Sequence, residues 1–231
     1  MKNIVVIVAG GSGTRFGGPI PKQFVPLKGK PVLMHTLERF AQFFAADSMA
    51  IGQIILVLPV AHIPVWKALC AQYDFHIQHD LVEGGETRYH SVKNGLNSIE
   101  EMHNGDVVAI HDGVRPLVPI DVIGEAYAMA RKTGSAIPVV PMTDSVRAVD
   151  DNGKSHALLR SSLRAVQTPQ AFDLKSLKQA YELPYQSAFT DDASVYENAG
   201  HDVTLINGAV CNIKITGTND LAIAELLMSH E

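Results

Sequence analysis

A chain of 231 residues with 46% hydrophobic and 19% charged side chains is long enough to bury a full core as one domain over residues 1–231. Its formal charge of −5 argues against the broad basic face of a nucleic-acid binder, so any anion site must be local. The longest apolar runs, such as Ile54 to Val60, are too short to span a bilayer, and Met1-Lys2-Asn3 leads into a strand rather than a signal peptide. Cys70 and Cys211 stand apart, without disulfide or zinc spacing. These features lead us to expect a cytoplasmic protein with no membrane or nucleic-acid partner.

The first expected strand, 3–9, carries Ile4-Val5-Val6-Ile7-Val8-Ala9 and runs into Gly10-Gly11-Ser12-Gly13-Thr14-Arg15-Phe16-Gly17-Gly18, then Pro21-Lys22-Gln23. Glycines let backbone N–H groups approach phosphate oxygens and converge on them. With an Arg and a Lys but no acid before Glu38, the turn is suited to a polyanion, and a nucleotide is the expected ligand. Three familiar signatures fail here. A dinucleotide fingerprint from Gly11 needs Gly where Phe16 stands, and a Walker A loop ending at Gly29-Lys30 needs a hydroxyl where Pro31 stands. A nucleophile elbow on Ser12 needs Gly in place of Thr14, and hydrolase chemistry has no use for Arg15 and Lys22.

Further strands are expected at 53–58, 76–79, 106–110, 136–140, 203–206 and 211–215. Helices are expected at 31–44, where Val32, Leu33, Leu37, Phe40 and Phe44 keep helical spacing, and at 61–72, 86–98, 119–132, 173–182, 190–199 and 217–228. Such alternation predicts an α/β fold: a doubly wound, mostly parallel, Rossmann-like sheet with helices on both faces. One segment breaks it. Between 141 and 167, Ser145 to Val149 and Ala157 to Arg160 flank Asp150-Asp151-Asn152-Gly153, which reads as a protruding β-hairpin. A lone hairpin is marginal, so it should pack on the body as a surface ribbon or serve as an arm exchanged across a dimer.

Ligands of open parallel sheets bind beyond the carboxyl ends of the strands, and polar clusters gather at those ends. They are the glycine turn, Glu83-Gly84-Gly85-Glu86-Thr87-Arg88 with Ser91, His111-Asp112-Gly113-Val114-Arg115-Pro116, Gln167-Thr168-Pro169-Gln170, Thr190-Asp191-Asp192-Ala193-Ser194, and Asn212-Ile213-Lys214-Ile215-Thr216. Each also has a plain reading. Gly84-Gly85 can be a loop with Thr87 or Glu86 at a helix cap, and Asp112-Gly113 a turn after a satisfied His111. Thr190-Asp191-Asp192 can be a helix N-terminus where acids oppose the dipole. Lys214 is odder, because a Lys in an Ile-rich run suggests a charge carried into a cleft. His76 and His79, expected on opposite faces of a strand, are poor metal partners.

Ala9 to Arg15, Pro21-Lys22-Gln23-Phe24, His111 to Pro116, Gln167 to Gln170, Thr190 to Ala193 and Asn212 to Thr216 resemble the ordered motifs of the 2-C-methyl-D-erythritol 4-phosphate cytidylyltransferase family, from residue 4 to about 228. The resemblance implies transfer of CMP from CTP to methylerythritol phosphate with release of pyrophosphate, in the non-mevalonate route to isoprenoid precursors. It also implies a Mg2+ ion, for which Asp112 is the expected carboxylate, and a homodimer formed through the arm. On the matching positions, Arg15 and Lys22 would hold the CTP phosphates, and Lys214 would bridge the α-phosphate and the attacking phosphate. Ala9, Gly10, Gly11, Ser12, Gly13, Gly85, Ser91, Asp112 and Gly113 would surround the nucleotide. Arg115, Ser145, Thr190 and Arg160, the last from the neighbouring subunit, would hold the acceptor phosphate.

Two departures stand out: Gly10-Gly11 follows Val8-Ala9 where the family commonly has Ala-Ala-Gly after Pro, and Gly113 replaces a usual Ala. The first is shared with ribitol-5-phosphate cytidylyltransferases, the alternative within the class. A serine hydrolase using Ser12 and a non-catalytic nucleotide sensor are the alternatives outside it.

Overall fold

The computed structural model describes residues 1–11, 20–47 and 50–229. The first half follows the strand and helix alternation: β1 (Lys2–Val8), a short ribbon of β2 (Pro26–Leu27) and β3 (Lys30–Pro31), α1 (Val32–Ala46), β4 (Ile51–Leu58), α2 (Ile63–Gln72), β5 (Asp80–Glu83) and α3 (Arg88–Asn97). The second half runs β6 (Val107–Asp112), α4 (Ile120–Thr133), β7 (Ser135–Pro141), β8 (Arg147–Val149), β9 (Ser155–Ala157), β10 (Arg164–Val166), β11 (Gln170–Asp173), α5 (Leu174–Ala180), α6 (Asp192–Asn198), β12 (Leu205–Asn207) and α7 (Thr218–Met228).

The main sheet has the order β10-β7-β11-β6-β1-β4-β5, with β12 paired to β7. β1, β4, β5 and β6 are mutually parallel, whereas β11 runs antiparallel between β6 and β7. β1 shows why its sequence lacks polar alternation. Val5 and Ile7 pack with Leu37 and Phe40 of α1 and Tyr127 of α4, while Ile4 and Val6 pack with Val92 and Leu96 of α3 and Leu177 of α5. Both faces are covered, so every position from Ile4 to Val8 is buried. Each such aliphatic side chain contributes roughly 1.5–3 kcal/mol on burial. This confirms the expected α/β, Rossmann-like architecture with helices on both faces. Among the described residues no helix is long and apolar enough to cross a membrane.

After β5 the chain returns to the opposite side of β1 to form β6, which makes the β1–β6 border a topological switch point. Gly95 lets α3 lie close over β1 and β4, since a Cβ there would stand 2.5 Å from Val6 Cγ1 and 3.0 Å from Val57 Cγ2. The N-terminus of α3 is thereby held beside the carboxyl ends of β1 and β6.

The hairpin is present as β8 and β9, paired in register Arg147 to Ala157 and Val149 to Ser155 around the Asp150–Gly153 turn, and among the described residues no ladder joins it to the main sheet. Two expected strands are not formed. Residues 76–79 are not a strand: the His79 ring accepts from Trp66 Nε1 at 2.9 Å, and ladder pairing with β4 starts only at Asp80. Residues 211–215 are not a strand either, because Ile215 is buried beneath α7 and makes one backbone bond, to Val114 O at 2.9 Å. Gln170 to Asp173, not expected as a strand, is β11, whose fully buried Phe172 is sandwiched between β6 and β7.

Candidate active site

Two adjoining cavities open at the carboxyl ends of β1, β4 and β6. The first, about 250 Å3, has Ala9, Gly10, Gly11 and Lys22 on one side and Gly85, Thr87 and Ser91 on the other. Its first wall is set by Gln23, nearly fully buried, whose amide donates to Ala9 O at 2.8 Å and lies 3.1 Å from His62 Nδ1. That bond fixes the Lys22–Phe24 turn onto the end of β1. The opposite wall is a loop locked by local hydrogen bonds. Gly84 N donates to Leu58 O at 2.8 Å, Gly85 N to Ser91 Oγ at 3.1 Å, and Ser91 Oγ to Thr87 O at 3.0 Å. Thr87 then caps α3 by accepting from His90 N. Gly85 is required for this packing, as a Cβ would fall 2.5 Å from His90 Cβ.

The second cavity, about 280 Å3, is bordered by Arg115, Thr168, Gln170, Thr190 and Asp191. Arg88, Asp112 and Lys214 line both cavities and so form the wall between them. Asp112 ends β6, and three cations converge on it: Lys214 Nζ at 3.0 Å and Arg115 Nε at 3.2 Å on Oδ2, and Arg88 Nε at 3.8 Å on Oδ1. Burial alone would raise the Asp112 carboxyl, but Arg88, Lys214 and Arg115 together hold it well below the usual carboxylate range. Arg115 also donates from Nη1 to Asn212 O at 2.8 Å, and Asn212 Nδ2 donates to Thr168 O at 2.9 Å. The segment carrying Lys214 is therefore tied to β6 and to the Thr168 loop.

Behind Asp112 lies a chain of neutral hydrogen bonds. The Asp112 backbone N–H donates to Thr168 Oγ1 at 3.1 Å, and Thr168 Oγ1 lies 3.1 Å from His111 Nδ1. His111 Nε2 faces the Arg115 carbonyl at 3.2 Å, which can only accept. The ring must therefore carry its proton on Nε2, leaving Nδ1 to accept from the Thr168 hydroxyl. Full burial pushes the His111 pKa down to about 3, against the raising effect of Asp112. His111 is a neutral strut that does not take up a charge near neutrality.

Arg88 is the site's second anchor. Its two Nη atoms meet Asp192 Oδ1 and Oδ2 at 3.0 and 2.6 Å. Burial works against its charge, but Asp192 more than restores it, so the guanidinium stays protonated. Asp192 is fully buried and also accepts from Tyr181 Oη at 2.7 Å. Asp191 caps α6 and closes a capping box with Ser194, as the helix-terminus reading of that segment has it.

The structure brings together Ala9, Gly10, Gly11, Lys22, Gly85, Ser91, Asp112, Arg115, Thr190 and Lys214 from the expected set. Gly113 does not line either cavity: it lies beneath the site, its N–H bonded to Val8 O and a Cβ there only 2.8 Å from that of Ala9. Ser145 and Arg160 are exposed on the arm and line neither cavity of their own chain, with Arg160 donating to Thr143 O. Ser12, Gly13 and Arg15 lie outside the described residues. Sequence reasoning placed Arg88, Gln23 and Gln170 within its polar clusters and motifs but gave none of them a role. Arg88 did leave a signal: a cation at the first residue of a helix opposes the dipole and needs a carboxylate to hold it there.

The chain matches the 2-C-methyl-D-erythritol 4-phosphate cytidylyltransferase family over residues 3–230. It is 48% identical to the enzyme of that name from Phocaeicola vulgatus, over 99% of this chain and 100% of the relative. It is 38% identical to the one from Bacillus velezensis, over 100% and 97%. Among solved structures, the 2-C-methyl-D-erythritol 4-phosphate cytidylyltransferase of Francisella tularensis superimposes with a TM-score of 0.80 at 32% identity, covering 98% of this chain and 99% of that one. The 4-diphosphocytidyl-2C-methyl-D-erythritol synthase of Anaerococcus prevotii also gives 0.80, at 27% identity, covering 99% and 98%.

Proposed function

The chain belongs to the 2-C-methyl-D-erythritol 4-phosphate cytidylyltransferase family and catalyses CTP-dependent formation of 4-diphosphocytidyl-2-C-methyl-D-erythritol in isoprenoid precursor biosynthesis, and we propose that the two adjoining cavities are its nucleotide and acceptor sites. The observation that carries this assignment is the shared wall of Arg88, Asp112 and Lys214. Transfer of CMP needs an acceptor phosphate brought in line with the α-phosphorus of CTP, and such a wall is where two polyanions would meet.

In this reading the cytosine lies against the Gly84–Thr87 loop, whose backbone is locked by Ser91. The triphosphate lies along Gly10, Gly11 and Lys22, and Arg15 is assigned to it from the family motif alone. Lys214 sits between the α-phosphate and the acceptor phosphate. As an acceptor oxygen bonds to the α-phosphorus and the bond to the β-phosphate oxygen breaks, negative charge moves onto pyrophosphate. Positioning and fixed cations carry such a step. No general base is required, because a phosphate monoester with its second pKa near about 6 is mostly dianionic at neutral pH. His111, with both ring nitrogens engaged and its pKa pushed down to about 3, is unsuited to be one.

Asp112 is the carboxylate suited to a magnesium ion. Its Oδ2 is taken by Lys214 and Arg115, while Arg88 stays 3.8 Å from Oδ1, and an ion held there would draw its other ligands from the nucleotide. Bound, magnesium supplies charge neutralisation and orientation of the triphosphate.

We assign residues 1–231 to a single nucleotidyltransferase domain with an arm at about 141–167 for dimer contact. In support, Val149, Leu159 and Val166 are exposed apolar side chains in that region, and Arg160 lines neither of the two cavities of its own chain. An exchanged arm would deliver Arg160 and Ser145 to the partner's acceptor site. The cytoplasm is the compartment proposed, in keeping with two free, partly buried cysteines. The acceptor is tested by incubating the protein with CTP, magnesium and either methylerythritol phosphate or ribitol 5-phosphate. Pyrophosphate should appear with the first; release with ribitol 5-phosphate alone would overturn the assignment.

A further inference from the structure

Arg88 lies at the N-terminus of α3, directly after the loop of the first cavity, yet its two Nη atoms are committed to Asp192, two residues beyond Thr190 of the second cavity. Asp192 lines neither cavity. It is held from below by Tyr181 Oη at 2.7 Å, and its own N–H donates to Gln170 Oε1 at 3.1 Å. Gln170 Nε2 in turn donates to Asp191 Oδ2 at 2.9 Å. The Arg88 side chain is two-thirds buried and the Asp192 side chain completely so. Parallel N–H to oxygen bonds between a guanidinium and a carboxylate fix angle as well as distance, which a lysine cannot reproduce.

We propose that Arg88 and Asp192 form a positioning pair that sets the acceptor site from the nucleotide side, holding the Thr190–Asp191 edge of the second cavity and the Asp112 carboxylate in register with the base-binding loop. This rests on the assignment of the two cavities made above. Three links carry it. The pair joins the first turn of α3 to the first turn of α6, helices that reach the site from separate parts of the chain. The same guanidinium lies 3.8 Å from Asp112 Oδ1 through Nε while Lys214 and Arg115 contact Oδ2, so it biases the position of the carboxylate electrostatically and leaves Oδ1 open to an ion. And Asp192, having no access to either cavity, can influence the reaction only by way of the groups it holds.

The test is steady-state kinetics with CTP and methylerythritol phosphate, combined with CTP binding measured by calorimetry without acceptor. Arg88→Lys keeps the charge but loses the paired geometry, and Asp192→Asn keeps the shape but loses the carboxylate. Each should raise the acceptor KM at least tenfold at saturating CTP, and in Asp192→Asn, whose side chain lines neither cavity, the CTP Kd should change less than threefold. Arg88→Lys combined with Asp192→Asn should be no worse than the more affected single variant, because residues acting as one unit are not additive. A merely structural role would lower the melting temperature and the active fraction, hence kcat, without moving the acceptor KM.

An acceptor KM within twofold of wild type in folded Arg88→Lys protein would overturn the inference. So would a CTP Kd in Asp192→Asn that rises as much as the acceptor KM, or single effects that multiply in the double variant. Should either single variant fail to fold by far-UV circular dichroism, Arg88→Gln with Asp192→Asn, which leaves neither charge unpaired, gives the same readout. Wild-type protein that fails to release pyrophosphate would instead sink the assignment of the two cavities.

Discussion

Replacing His111 by Gln should make the protein less sensitive to mild acid, an unusual outcome for a fully buried polar position. The imidazole has an ordinary pKa of 6.5 when unfolded and is pushed down to about 3 in the folded chain, chiefly by burial. Between those values the unfolded chain binds more protons, so stability is complete above the unfolded pKa and drains away as pH falls from 6.5 toward about 3. At about pH 5 the unfolded histidine gains a proton with an equilibrium factor of about 30, and the folded one gains almost none. That difference costs about 2 kcal/mol relative to about pH 7.5, and it changes little if the folded pKa is a unit higher. In a chain of this size it corresponds to a melting-temperature loss of about 4–8 °C.

Gln keeps a donor for the Arg115 carbonyl but cannot titrate. Urea titrations of both proteins at the two pH values should show the wild type losing about 2 kcal/mol more than His111→Gln. Taking the difference between proteins removes most of the contribution of other groups, including His35, whose pKa is also lowered by burial, and Asp112, whose depressed carboxyl acts only below its ordinary value of 3.8. Equal losses in the two proteins would refute the buried neutral strut, and with it the hydrogen-bond chain that holds the Asp112 backbone.

The site assignment makes other commitments. Arg15→Ala should lower turnover, followed as pyrophosphate release, by on the order of 10²-fold or more, as loss of a charge contact made in the transition state does. Gly85→Ala places a Cβ 2.5 Å from His90 Cβ, so it should displace the loop and weaken CTP binding at least tenfold by calorimetry; unchanged affinity would remove that loop from base recognition. Arg160→Ala should mainly raise the acceptor KM. If the arm is exchanged, mixing Arg160→Ala with Lys214→Ala protein should restore activity as dimers re-form, and absence of recovery in exchanging dimers would count against exchange.

The parts of the fold that were legible in the sequence are those where local pattern and tertiary packing agree. β1 is an unbroken β-branched run because helices cover both its faces, and α1 keeps its apolar spacing because one face meets the sheet. β11 was not legible, since Gln170-Ala171-Phe172-Asp173 has no alternation of its own and is a strand only because β6 and β7 flank it. His76 to His79 and Cys211 to Ile215 misled in the opposite way: alternating apolar residues anchor a loop there without a ladder partner. For the site, the residues that would touch a ligand stood out as charges or glycines at strand ends. Those that hold the ligand-facing groups did not. Gln23 bonds to Ala9 across 14 residues and Arg88 to Asp192 across 104, and neither distance is visible in a motif.

The central claim, that Lys214 stands where the two substrates react, is tested most directly by a single variant. Pyrophosphate release by Lys214→Ala should be followed at saturating CTP, magnesium and methylerythritol phosphate, beside wild-type protein of equal melting temperature. Lys214 Nζ is 3.0 Å from Asp112 and lines both cavities, so its removal should cut kcat by on the order of 10² to 10³. Turnover at the wild-type rate would contradict the shared-wall account of the site.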